Sequence, residues 1–316
     1  MDRIENAINS LLIQTNREIF SRIEEISFEV DIVDTQTKCY CYSIKCDGNN
    51  NLRLQDLVDF IDERIIDYSI PKKKIDDAKE HFAKTGSTSK IVNLRKQATQ
   101  LFTNLKQTGE GGELLLYILT LEILKIPQLI SKMSLKTSGE LHYQGSDGIH
   151  VKYDDKLKTL NLYWGESKMY KNINDAISKC FLSLNGFLLD NMSFTSVQER
   201  DLLLITDNIK NNVNNEEFED LIIAYFDKDN ELSNNLVYKG ICFIGYDNAQ
   251  YQNLNKTKTI DEIKKEITEE LKNHHKQIST QIKKYSNLDS KEIHVFLMPF
   301  PSVKEFRKHY LDTIKK

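Results

Sequence analysis

A long apolar run is the first feature that this sequence lacks. The most apolar window, LLLYILTLEILKIPQLI, is interrupted by Glu122, Lys125 and Pro127, and it falls short of the roughly 20 residues that span a bilayer. The first residues, MDRIENAINSLLIQ, show no apolar core followed by a cleavage site of small residues, as a secretory signal would. We therefore expect a cytoplasmic protein with no membrane segment.

Cysteines are few and do not have the spacing of a structural framework. The five cysteines form an odd and scattered set, which argues against disulfides and fits a reducing compartment. Cys39, Cys41 and Cys46 lie close together but lack the paired C-x-x-C spacing of zinc sites. We interpret them as alternating residues of a strand.

An excess of positive charge is also missing. The chain has 43 basic and 47 acidic residues, for a net charge of -4, so the composition gives no general signature of nucleic-acid binding. Any such binding must be local or assisted by a partner. Residues 84–106 are the most basic stretch and hold no acidic residue; their cations are Lys84, Lys90, Arg95, Lys96 and Lys106. This stretch is either a solvated helix face or a surface that contacts phosphates or a partner.

The chain is long enough for about two domains. In residues 1–107, ISFEVDIV and KCYCYSIKC alternate like strands, and LRLQDLVDFIDERIIDYSI has helical spacing. Glycines cluster in KQTGEGG, which we interpret as a linker. Residues 108–316 then give an apolar helix, a hairpin, a helix, and the strands LVYKGICFIGYD and EIHVFLMPF on either side of a long helix. The predicted fold class is α/β (α+β), with an N-terminal α+β region for partner or DNA contact.

One predicted hairpin carries charged residues where buried strands meet. In GSDGIHVKYDDKLKTLNLYWGESKMY, residues 145–170, side chains two apart share a face, so Glu166 and Lys168 lie side by side. If the two arms pair, Asp147 at the start of the first arm meets Glu166 at the end of the second. The hairpin therefore predicts two carboxylates and a lysine at one edge of a sheet.

Two carboxylates at a sheet edge suit a hard divalent cation such as Mg²⁺, because buried like charges are costly without a neutralising ion. A lysine beside them can orient or deprotonate a water while the ion stabilises charge on a phosphoryl oxygen. We expect the third carboxylate to be Glu113, at the start of the apolar helix, with Glu110 as the alternative. Lys179, in the helix after the hairpin, is a further candidate for the site.

The Glu-x-Lys string alone is not specific. Glu262-Ile263-Lys264 and Glu270-Leu271-Lys272 also fit it, and both lie in the predicted long helix, where they are surface charges. Glu166-Ser167-Lys168 differs because it ends an apolar strand, follows an Asp-Gly hairpin and precedes an amphipathic helix. This context favours a phosphodiester-hydrolysing site.

These residues resemble the PD-(D/E)XK nuclease superfamily, whose core of a mixed central sheet flanked by helices runs helix, three strands, helix, strand. More narrowly, GEGGELLLY, GSDGIHV, LYWGESKMY and VFLMPFP resemble the HamA family, nuclease subunits of Hachiman anti-phage defence, over about residues 108–301. Ser146 stands where the superfamily usually has proline. The resemblance implies that Glu113, Asp147 and Glu166 bind the metal and that Lys168 is catalytic.

The resemblance further implies a DNA nuclease that uses Mg²⁺ or Mn²⁺ and is restrained or delivered by a helicase subunit similar to HamB. Two other interpretations stay open at this point. One is a binding module that kept the nuclease fold and lost activity. The other is an RNA-directed nuclease, since metal-assisted hydrolysis does not itself specify the sugar.

Overall fold

The computed structural model describes residues 3–102, 109–131, 145–189, 197–212 and 215–314. The predicted domain boundary between residues 107 and 108 lies outside these ranges. Among the residues described, no helix has both the length and the apolar composition that crossing a bilayer requires.

The centre of the fold is a seven-stranded mixed sheet with the order β1-β2-β7-β6-β5-β4-β3. The four central strands are parallel to one another, in the order β2, β7, β6 and β5. Strand β1 pairs antiparallel with β2 at one end, and β4 and β3 add to β5 as antiparallel strands at the other end. The strands are β1 (Ile23–Asp31), β2 (Thr37–Ile44), β3 (Gln128–Ile130), β4 (Gly148–Asp154), β5 (Thr159–Tyr170), β6 (Leu236–Asp247) and β7 (Ile293–Phe300).

Helices cover both faces of this sheet. They are α1 (Arg3–Ser10), α2 (Leu54–Glu63), α3 (Ile65–Ser69), α4 (Lys72–Thr85), α5 (Ser89–Gln100), α6 (Glu110–Leu119), α7 (Ile173–Leu188), α8 (Val197–Asn212), α9 (Glu216–Phe226), α10 (Ile260–Ile282) and α11 (Val303–Ile314). The predicted α/β class with a mixed sheet between helices is therefore confirmed. The elements α6, β3, β4, β5, α7 and β6 also follow the expected run of helix, three strands, helix and strand, with two further helices, α8 and α9, between α7 and β6.

The strand patterns follow from position in the sheet. Every residue of β7 is buried, as expected for a central parallel strand with helices on both faces, and its sequence IHVFLMPF is accordingly almost continuously apolar. Along β5, Leu160, Leu162 and Trp164 contribute to one core, whereas Tyr163 and Met169 contribute to the core on the opposite face. This alternation is the one that the sequence predicted.

The N-terminal region shares this sheet with the rest of the chain. Strand β2 pairs in parallel with β7, from Thr37 opposite Ile293 to Cys41 opposite Leu297. Cys39 and Cys41 are buried residues of β2, as interpreted, whereas Cys46 is half-buried and lies past the end of β2 in an isolated bridge with Leu52. The N-terminal strands thus extend the sheet that carries the hairpin.

Two glycines of the predicted linker, Gly111 and Gly112, are instead part of helix α6, and Gly109 is its N-cap, so this prediction is wrong for Glu110–Gly112. Helix α6 begins at Glu110 and packs so closely that a Cβ atom on Gly111 would lie 2.9 Å from the Phe306 ring. A Cβ atom on Gly112 would lie 2.5 Å from Ser167 Oγ. The glycines cluster because the helix packs closely against β5 and α11. In the sequence, glycines that permit close packing look the same as glycines of a flexible linker.

The first prediction concerns this close approach. Alanine is about 1 kcal/mol more favourable than glycine inside a helix, but overpacking at Gly112 costs about 1–3 kcal/mol. We expect Gly112→Ala to lower the free energy of unfolding, measured by urea denaturation. Gly186→Ala in α7 is the matched control, because no atom of the described residues lies within 4 Å of its Cβ position, and it should be neutral or stabilising. Equal stability of the two variants would contradict the close-packing account.

Candidate active site

The predicted hairpin forms in the predicted register. Strands β4 and β5 are antiparallel, with Gly148 opposite Gly165 and Asp154 opposite Thr159. Strand β5 continues past Gly165 through Glu166 to Tyr170, beyond the first residue of β4. The early end of one arm and the late end of the other therefore meet, and the stretch Glu166–Tyr170 extends past its antiparallel neighbour.

Asp147 is held at this junction by two backbone contacts. Its own N–H donates to the Gly165 carbonyl at 2.9 Å, which continues the ladder by one residue. Its carboxylate Oδ2 accepts the Ser167 N–H at 2.8 Å. The Asp147 side chain thereby satisfies the backbone N–H of Ser167 at the edge of β5. Because Ser167 lies between Glu166 and Lys168 in the sequence, this hydrogen bond fixes Asp147 near both residues.

Glu166 and Lys168 form an ion pair on one face of β5, through Lys168 Nζ and Glu166 Oε1. The Glu166 side chain is 5% exposed and the Lys168 side chain 25%. Burial raises the pKa of Glu166, and the Lys168 ammonium opposes that rise. Burial lowers the pKa of Lys168, but the carboxylates of Glu166 and Asp147 outweigh it and keep the pKa above its ordinary value. The lysine is therefore the local counter-charge of both carboxylates.

Glu113 reaches the same junction from the first turn of α6. The hydroxyl of Tyr68 lies 3.0 Å from Glu113 Oε2 and 3.0 Å from the Asp147 carbonyl, and both oxygens accept from it. The charge of Glu113 also raises the pKa of Glu166. Glu113 is thus connected to the hairpin junction through a tyrosine of α3.

Tyr68 is a residue that the sequence reading missed. Its ring is fully buried between Phe102 and Tyr117. Burial, followed by the charges of Glu113 and Asp147, holds its pKa well above the ordinary value, so the hydroxyl stays a donor. No local motif marks Tyr68, because its partners are 45 and 79 residues further along the chain.

Glu110, the alternative to Glu113, is also close to this region. It lies three residues earlier in α6 and is 3% exposed. Its charge contributes to the raised pKa of both Tyr68 and Tyr310. The hydrogen bond from the Tyr68 hydroxyl joins Glu113 to the hairpin junction. Glu113 is therefore the acid tied to the hairpin.

The donor set fits a hard divalent cation bound together with substrate. Within the described ranges, no group of three or more His, Cys, Asp or Glu side chains converges in a geometry that could hold a metal ion by itself. Mg²⁺ does not require such a cage, since it is usually held by one or two carboxylates, waters and substrate phosphates. Asp147 and Glu166 would supply such carboxylates, with Glu113 connected to them.

Other sequence candidates lie elsewhere. Lys179 is exposed on α7, and among the described residues it makes no ion pair with Glu166. Trp164 is buried and stacks on Phe187, with ring centroids 5.4 Å apart, which confirms its interpretation as a core residue. In the basic stretch, Lys84 pairs with Glu80 and Arg95 with Asp62, and Lys106 lies outside the described residues.

The comparison with known families covers both the hairpin and the N-terminal strands. No curated protein matches the chain significantly. A family model described as HamA matches residues 19–314, nearly all of the 316 residues. The match begins before β1 and ends at the last residue of α11, so it includes Tyr68 as well as the Glu-Ser-Lys strand. This chain therefore belongs to the HamA family of the Hachiman anti-phage defence system.

Proposed function

We propose that this HamA family member is a metal-dependent DNA nuclease, the effector of its defence system, and that a helicase subunit similar to HamB controls it. The observation that carries the proposal is the junction of β4 and β5, where Asp147 is fixed by the Ser167 N–H beside the buried pair of Glu166 and Lys168. Two acids and a lysine in this arrangement suit phosphodiester hydrolysis.

Each side chain has a distinct part in the proposal. Asp147 and Glu166 bind the cation, and Glu113 completes the acidic set from α6. Lys168 orients the attacking water and supplies positive charge beside the phosphate. A bound Mg²⁺ or Mn²⁺ would supply stabilisation of the negative charge that develops on the phosphoryl oxygens.

The charge of the chain supports the need for a partner. With 43 basic residues against 47 acidic ones, the isolated chain has little general attraction for a polyanion. Two cations of the 84–106 stretch are neutralised by Glu80 and Asp62, which reduces what that surface offers to phosphates. A motor subunit with its own DNA channel would provide the missing affinity and would keep the nuclease from the host chromosome.

The second prediction tests the activity directly. The purified chain, alone and with its helicase partner, is incubated with plasmid, linear and single-stranded DNA and with RNA, with Mg²⁺ or with EDTA. We expect Mg²⁺-dependent cleavage of DNA. Cleavage confined to RNA would show that the substrate is RNA and not DNA. No cleavage under any condition would favour an inactive binding module of the same fold.

Variants in the same assay assign the activity to the site. Glu166→Ala and Lys168→Ala should each reduce cleavage by about 100-fold or more, the range expected for a positioned acid–base group. Lys272→Ala is the matched control, because Glu270-Leu271-Lys272 repeats the string in α10, with Lys272 exposed. Full cleavage by either site variant, with contaminating nuclease excluded, would contradict the assignment of the activity to Glu166 and Lys168.

The third prediction concerns Tyr68 as a positioning residue. Tyr68→Phe keeps the packed ring and removes the hydroxyl that contacts Glu113 and Asp147. Since outer partners of metal ligands typically contribute 10-fold or more to affinity, we expect Mn²⁺ binding to weaken by about 10-fold. Isothermal titration calorimetry measures this without reference to catalysis.

The control for Tyr68 removes a hydroxyl from the same aromatic cluster. Tyr117 packs against Tyr68 with ring centroids 5.4 Å apart and is also buried. Tyr117→Phe should leave the Mn²⁺ affinity unchanged, whatever its effect on stability. If both variants bind Mn²⁺ equally, the hydroxyl of Tyr68 has only a structural role.

A further inference from the structure

Helix α11 presents a row of cations beside the edge of β5. Lys304, Arg307 and Lys308 are spaced three and four residues apart, so they lie on neighbouring positions of one helix face. Lys304 and Lys308 are exposed, and Arg307 is half-buried. The opposite side of the helix packs into the core through Val303, Phe306 and Tyr310. The basic row therefore borders the sheet and faces outward from it.

Arg307 fixes the position of this row relative to the candidate active site. Its Nη2 donates to the Met169 carbonyl at 2.5 Å. Backbone polar groups of alternate strand residues point to the same edge, and Ser167, two residues earlier, donates its N–H to Asp147. Arg307 therefore lies on the edge of β5 that holds Asp147, about 7 Å further along by the rise of a strand.

No ion pair neutralises the row in the part of the chain that the structure describes. Ion pairs neutralise Lys84 and Arg95 in the 84–106 stretch, but no ion pair between described residues involves Lys304, Arg307 or Lys308. The Nε of Arg307 is buried and has no hydrogen-bond partner among the residues described. Glu305 and Asp312 of the same helix lie three and four residues from Lys308, which is a spacing that permits ion pairs, but neither forms one with Lys308 among the described residues.

We infer that Lys304, Arg307 and Lys308 form the surface that binds the phosphodiester backbone of DNA as it enters the site along the edge of β5. The inference rests on the proposed nuclease function and names the part of the chain that receives the substrate. Arg307 is the anchor, because its planar guanidinium presents further N–H groups beyond the one bound to Met169. The lysines extend the same positive edge as point charges.

Binding without catalysis tests this surface. Fluorescence anisotropy of a labelled DNA duplex is measured in EDTA over a range of KCl concentrations, with the full chain. Each phosphate contact contributes about 0.9 to the slope of log affinity against log salt. Lys304→Gln combined with Lys308→Gln should lower that slope by about 2 and weaken binding at low salt. Arg307→Gln should lower it by about 1.

Two further variants distinguish a specific loss of DNA binding from a loss of folding and from a general change in the net charge of the protein. Arg307→Lys retains the charge and should bind DNA more tightly than Arg307→Gln. Lys272→Gln combined with Lys276→Gln removes two exposed lysines at the same i,i+4 spacing from α10, on the opposite side of the sheet, and should match the wild type. Circular dichroism and urea denaturation check that each variant is folded.

The outcomes distinguish this inference from the proposed function. If the α11 and α10 double variants lose the same affinity and slope, the α11 surface is overturned, even when the wild type cleaves DNA. If the wild type cleaves no nucleic acid but still binds DNA through α11, the nuclease proposal fails and the binding surface stands. No binding by the wild type at low salt overturns the surface.

Discussion

The antiparallel register of β4 and β5 is the constraint on which the candidate site depends. With Gly148 opposite Gly165, Asp147 falls beside Glu166, and its carboxylate accepts the Ser167 N–H. A slip of one residue would turn Asp147 and Glu166 to opposite faces. The same slip would move Leu162 and Trp164 out of their core. Burial of the apolar face therefore fixes the position of the acids.

The buried pair of Glu166 and Lys168 is costly, and the surrounding residues indicate why it is retained. Glu166 is almost fully desolvated and Lys168 is half-buried, and ion pairs taken out of water seldom stabilise a fold more than apolar residues of similar size would. Here the pair lies beside two further acids, and the tyrosine hydroxyl of α3 ties one of them to the hairpin. Gly112 lets α6, which carries Glu113, pack closely against β5. An arrangement of this kind is understood more readily as a chemical site than as a source of stability.

The sequence predicts what depends on short-range periodicity and spacing. The alternating pattern predicted that Glu166 and Lys168 share one face of a strand, and the Asp-Gly hairpin predicted that Asp147 lies near them. The structure has both the ion pair and the hairpin register. Long-range contacts are different. Tyr68, Gly112 and Arg307 belong to separate helices, and Arg307 contacts Met169 from 138 residues away. No periodic pattern encodes such contacts, and glycines that permit close packing resemble those of a linker.

The central claim is that the carboxylates at the edge of β5 bind a divalent cation, and titration calorimetry with Mn²⁺ tests it most directly. The wild-type chain should bind Mn²⁺ at one class of site, and Asp147→Asn should weaken that binding by about 10-fold or more, because it removes the charge of a ligand. Glu110→Gln is the control and should retain most of the affinity. Mn²⁺ binding that is absent from the wild type, or that survives Asp147→Asn unchanged, would contradict the account.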